Sequence, residues 1–218
     1  HADISHCGYQ MCFADGRVHY FYNTGFLAQQ DKITALKELL SGSRIEPGLC
    51  NKLFHKILFR SLLHGESVPL DIKINEDLLM NYRLFSTAEQ TVFEDWCPYH
   101  YIVRGASASR AKLNSHKIYD PIKVKEIIRQ SAPAELHEAA QQAYISTCIN
   151  TYHTLLTAGA GYRDDQRKVR ELLTQEADDF FLLGRKRRLM ASMIVHTPVL
   201  YRPIYAVYSR FFQKRVYD

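Results

Sequence analysis

Apolar and polar residues alternate at the start of the chain. Cys7, Tyr9, Met11 and Phe13 share one face of a strand predicted over 3–13, and Val18, Tyr20 and Tyr22 share a face of its return. Asp15-Gly16 between them is a two-residue hairpin signal, because glycine takes the positive φ that such turns demand. The period then becomes helical near 31–40, where Ile33, Leu36, Leu39 and Leu40 recur and Gly42 stands where the helix must stop. Leu49 to Leu63 is compact and apolar with basic residues between. Asn75 is placed to cap a helix running to about Ala88, along one side of which lie Leu78, Tyr82 and Phe85. Thr91 to Val103 is aromatic and β-branched, so it reads as a strand, and it ends in the loop Arg104-Gly105-Ala106-Ser107-Ala108-Ser109.

Beyond about 118 only helical patterns remain, over 122–130, 134–157 and 164–183, broken by Pro133 and by Gly159-Ala160-Gly161. The expected architecture is therefore mixed α/β over residues 1–115 and all-helical over 116–218. Residues 189–201 are apolar apart from Ser192, His196 and Thr197, but they are too few to span a bilayer. Pro203 suits the first turn of a last helix. In that helix Ile204, Val207, Tyr208, Phe211 and Phe212 form an apolar stripe, with Arg210 and Lys214 off it.

At 46% hydrophobic and 23% charged, the chain has the composition of an ordinary globular protein and not of a disordered one. It opens on His1 without a leader and reads as a piece of a longer protein. Its five cysteines are odd in number, scattered and free of any CxxC pair, which points to reduced thiols in a cytoplasmic setting. His6, Cys7, Cys12 and His19 are expected to pack in strands and not to hold zinc, because neighbours on a strand point to opposite faces. Charge is uneven: residues 185–218 carry eight Lys or Arg against one acid, a local +7 within a net +5. A basic tail rich in Tyr and Phe suits an anionic membrane surface, at the inner face of a membrane, better than nucleic acid.

Three short patterns carry chemistry. Cys50-Asn51-Lys52-Leu53-Phe54 comes first, Ile74-Asn75-Glu76-Asp77-Leu78 about twenty residues later, and Tyr101-Ile102-Val103-Arg104-Gly105-Ala106-Ser107 after the following helix and strand. A carboxylate at the start of a helix is held ionised and fixed in direction by the free N–H groups and the helix dipole, and such a group can take a proton from an acceptor hydroxyl. In order and spacing the three patterns resemble the second half of the bacterial family 2 glycosyltransferases. Ala2-Asp3-Ile4 with Cys7-Gly8-Tyr9 resembles the strand that follows the family's metal-binding motif. The resemblance covers residues 1–115.

That resemblance implies part of a GT-A-type mixed sheet and a sugar transfer, with inversion, from a nucleotide-sugar donor to a saccharide or lipid-linked acceptor. It implies Asp77 as the catalytic base and Glu76 as its support. Arg104 and Ser107 would meet the departing diphosphate, and Lys52 matches the family's motif lysine. Cys50 stands where the family usually carries Trp. The implied cofactor is Mg²⁺ or Mn²⁺, held in the complete enzyme by an Asp-x-Asp motif that this sequence lacks. Asp164-Asp165 and Asp178-Asp179 fall in helical segments and read as solvated surface. The chain alone is thus expected to be inactive. The competing reading is a non-catalytic helical interaction or membrane-docking module that keeps part of the enzyme fold.

Overall fold

The computed structural model describes residues 2–21, 23–60, 69, 71–103 and 112–212. The chain forms two compact units, His1–Ala139 and Ala140–Asp218. The helical run begins at Ser115, and the first unit keeps its first helix.

The first unit is a mixed sheet with helices. Its strands are β1 (Ile4–Cys12), β2 (Val18–Phe21), β3 (Leu27–Asp31), β4 (Lys52–Phe54) and β5 (Gln90–Ile102). β1 lies parallel to β5 along its length, while β2 and β4 pair antiparallel with its two halves, and β3 runs antiparallel to the first part of β5. The Asp15-Gly16 turn forms as expected: Gly16 has φ 86°, and the Phe13 N–H donates to the Arg17 carbonyl at 2.9 Å.

The predicted face of β1 needs correction. Ile4, His6 and Gly8 point into the core, followed by Met11, while Cys7 and Tyr9 are only half-buried. The cause is an irregularity between Cys7 and Tyr9, whose partners on β5 are Glu94 and Tyr99. The extra β5 residues include Pro98, which has no N–H to give the ladder. Gly8 is crowded from both neighbours: a Cβ there would stand 2.8 Å from the Phe21 carbonyl of β2 and 3.0 Å from the Cys97 sulfur of β5. Asp95 in the same irregularity is buried, yet it accepts the Asn23 and Thr24 N–H groups at 2.7 and 2.9 Å. Burial opposes its charge, but the Thr24 hydroxyl and these amides outweigh it and hold the carboxyl below its ordinary range.

Helix α1 (Lys32–Ser41) begins at Asp31, whose side chain accepts the Thr34 N–H, and it ends at left-handed Gly42. Helix α2 (Glu76–Thr87) buries Leu78, Leu79, Tyr82, Leu84 and Phe85. Helix α3 (Ser115–Ser131) is capped by Asn114 through the Lys117 N–H.

The second unit holds α4 (His137–Ala158) from Ala140 onward, α5 (Arg163–Gln175), α6 (Arg185–His196) and α7 (Pro198–Phe212). Its core gathers Tyr144, Ile145, Tyr152 and Leu155 of α4, Val169 and Leu173 of α5, Ile194 of α6, and Tyr201 and Tyr205 of α7. The expected start of the last helix at Pro203 is displaced. Pro198 takes the first-turn position, where a missing N–H costs nothing, and Pro203 lies inside α7. Tyr201 and Tyr205 fix that helix by stacking with His153, whose ring lies 4.1 Å from that of Tyr205 and whose Nε2 is 2.6 Å from the Tyr201 hydroxyl. Of the expected apolar stripe, Ile204, Val207 and Phe211 are exposed, joined by Val199 and Leu200. Tyr208 is half-buried and accepts a bond from Lys186. The Phe212 side chain lies outside the described residues.

Candidate active site

The site is built where α2 begins. Asn75 does not cap it as expected: the residue sits at φ 66°, a left-handed conformation that Asn tolerates, and its side chain makes no capping bond. The approach is fixed from another helix. Asp120 of α3, only 2% exposed, accepts the Lys73 and Ile74 N–H groups at 2.7 and 3.2 Å and meets His116 Nδ1 at 3.0 Å.

Glu76 is exposed, while Asp77 is half-buried and its Oδ1 accepts the Leu78 N–H at 2.8 Å. Burial raises the Asp77 pKa, the Leu78 N–H pulls it back, the Glu76 charge adds to the rise and the Lys52 ammonium opposes it. The net effect is a carboxylate more basic than an ordinary Asp.

Lys52 on β4 is 8% exposed. Its ammonium donates to the carbonyls of Glu46 and Gly48 at 2.8 and 2.5 Å and to Asn51 Oδ1 at 2.9 Å. An ammonium has three donors, so all of them are used within the protein. Burial brings its pKa down to about 8, opposed by the Glu46 and Asp77 carboxylates. Lys52 thus acts here by ordering a loop and by its charge.

Two asparagines that the sequence reading did not single out complete the frame. Asn81, fully buried one turn beyond Asp77, donates to the carbonyls of Pro47 and Gly48. Asn51 donates to the Cys7 carbonyl, and the Cys7 N–H returns a bond to the Asn51 carbonyl at 3.1 Å. Segment 46–51 is thereby clamped to β1, β4 and α2. The signal for Asn81 was its place on the apolar stripe with Leu78, Tyr82 and Phe85, where a polar side chain must find a partner. Cys50 is exposed beside Tyr99, whose hydroxyl is pushed up in pKa first by its hydrogen bond with that thiol.

Asp77, Glu76 and Lys52 are thus brought to one place, whereas Arg104 and Ser107 lie outside the described residues. Among the described residues no three His, Cys, Asp or Glu side chains converge as metal ligands. Nothing described here fits Mg²⁺ or Mn²⁺, and no step below is derived through a metal. His6 is buried against Phe93 and bonded to Gln30, separately from the half-buried Cys7. No helix among the described residues is long and apolar enough to cross a membrane. No protein-family model matches the chain, and no curated protein matches it.

Proposed function

We propose that the chain is the acceptor side of an inverting sugar transferase of the family 2 type, acting in the synthesis of a surface polysaccharide or glycolipid. One observation carries the reading: Asp77 opens a helix, half-buried, aimed by the Leu78 N–H and made more basic by burial, beside the Lys52 ammonium. In the reaction the acceptor oxygen bonds to the anomeric carbon of the donor. The bond from that carbon to the nucleoside diphosphate breaks, its electron pair leaves with the diphosphate, and the acceptor proton passes to the Asp77 carboxylate. Glu76, exposed beside it, keeps the local potential negative and favours uptake of that proton. Arg104 and Ser107 are proposed to meet the diphosphate.

The test is transfer by the full-length protein from uridine, guanosine and thymidine diphosphate sugars, with the anomeric configuration of the product read by NMR. Product of inverted configuration is expected. A retained configuration, or no transfer from any donor, would overturn the reading.

A docking role for the second unit is proposed alongside, on the strength of the exposed stripe Leu200, Ile204, Val207 and Phe211 near a basic α6. Cationic side chains gain about 1 kcal/mol each at an anionic surface, which salt screens, and the stripe adds a part that salt leaves. Binding to anionic vesicles that weakens without vanishing as salt rises is expected. Ile204, Val207 and Phe211 changed together to Ser should abolish the salt-resistant part without lowering the melting temperature, since all three are exposed. Equal binding by this variant and the wild type would remove the stripe from docking.

A further inference from the structure

The second unit contains a cavity of about 430 Å³ that the sugar-transfer reading does not use. It is lined by the end of α4, the start of α5 and one side of α7, and its polar groups are Thr157, Arg163, Gln166, Arg202 and Ser209, with Tyr205 beside them. The size falls in the range of small-molecule pockets. Two guanidinium groups border one cavity, and no carboxylate is among its described lining residues. Asp164, next to Arg163, turns to Arg167 at 3.1 Å instead.

One of the arginines is held in place. Gln166 is 4% exposed, and its amide nitrogen donates to the Leu155 and Gly159 carbonyls at 3.1 and 3.4 Å. Its oxygen accepts one N–H of Arg202 at 3.0 Å. A buried amide anchored to two backbone carbonyls therefore sets the direction of the Arg202 guanidinium and leaves its other donors available. Arg163 is exposed and makes no ion pair among the described residues. Two like charges bordering one space repel unless an anion sits with them, and guanidinium groups pair best with phosphate oxygens.

We propose that this cavity binds a soluble small molecule through a phosphate or diphosphate group, with Arg163 and Arg202 as its cationic ligands. A lipid headgroup would supply the same chemistry, but the helix disfavours that source. At about 100° per residue, Arg202, Ala206 and Ser209 lie roughly half a turn around α7 from Leu200, Ile204, Val207 and Phe211. A membrane resting on the apolar stripe would face away from the cavity.

Calorimetric titration of the full chain with inorganic phosphate and pyrophosphate at low ionic strength tests this, and it needs no sugar transfer, so its outcome is independent of the catalytic reading. Pyrophosphate is expected to bind in the millimolar range or tighter. Arg163→Gln and Arg202→Gln should each weaken binding at least about tenfold, the worth of one charge-assisted bond. Arg167→Gln, on the same helix but outside the cavity, should leave it unchanged. Because Arg202 also braces Gln166, melting temperatures accompany the series, and exposed Arg163 gives the variant with no structural consequence. Absence of pyrophosphate binding, or equal weakening by Arg167→Gln, overturns the proposal. So does a protein that ignores pyrophosphate but loses binding to phosphatidic acid vesicles on Arg163→Gln, which would assign the cavity to a lipid headgroup.

Discussion

If the chain transfers sugar as proposed, Asp77→Asn in the full-length protein should lower turnover at least about a hundredfold, the usual worth of a positioned base, and leave donor affinity nearly unchanged. The amide keeps the volume of the carboxyl and still offers an oxygen to the Leu78 N–H, so helix α2 has no reason to unwind. What it loses is the ability to take a proton. The pH profile carries a second signature. Since burial raises the Asp77 pKa, turnover should fall on the acid side at a higher pH than an ordinary Asp would give. Lys52→Met removes an opposing charge and should move that limb further up. Near-normal transfer by purified Asp77→Asn protein would take Asp77 out of the mechanism.

Acid should destabilise the second unit through a buried histidine, while in the first unit a like loss is opposed by carboxylates that burial raises. His6 in the first unit and His153 in the second are each brought by burial from 6.5 to about 4. The unfolded chain therefore binds a proton on each between pH 6.5 and 4 that the folded chain refuses. Stability from the neutral rings is fully present above 6.5 and is lost as pH falls towards 4, by about 3 kcal/mol per histidine at the lower end. Glu38, Glu46 and Asp77, raised by burial, work in the opposite direction as they protonate. Asp3, Asp31 and Asp95, held low, add their losses only below the ordinary Asp range. The second unit's denaturant midpoint, measured from pH 7.5 to 4.5, should fall steadily, and His153→Gln should flatten its slope. A wild-type midpoint that does not move over this interval would refute the neutral-histidine account.

Much of the fold was legible because it rests on local physics. The Asp15-Gly16 turn, Gly42 at the end of α1 and the stripe Leu78, Tyr82 and Phe85 of α2 each depend on neighbours within a turn or two. β3 was not legible. Its sequence Leu27-Ala28-Gln29-Gln30-Asp31 exposes Leu27 and buries Gln30, which accepts bonds from His6 and Thr91 across the sheet. The phase of β1 was hidden for a similar reason, since it depends on where β5 carries Pro98 and Asp95, some ninety residues away. In the site, Asp77, Glu76 and Lys52 could be named from short patterns. Asp120 and Asn51 could not, because they act on backbone groups far along the chain whose chemistry no side-chain pattern records.

The grip on segment 46–51 has a consequence for how such a surface changes over generations. Lys52 and Asn81 seize the carbonyls of Glu46, Pro47 and Gly48, groups that every amino acid supplies. Leu49 and Cys50 stand exposed between those anchors and the strand, and neither side chain grips one of those carbonyls. Mutation can therefore rewrite positions 49 and 50 while the scaffold under Asp77 stays rigid. On the proposed reading, a protein made this way would be free to trade one acceptor for another without first having to rebuild the carboxylate at Asp77.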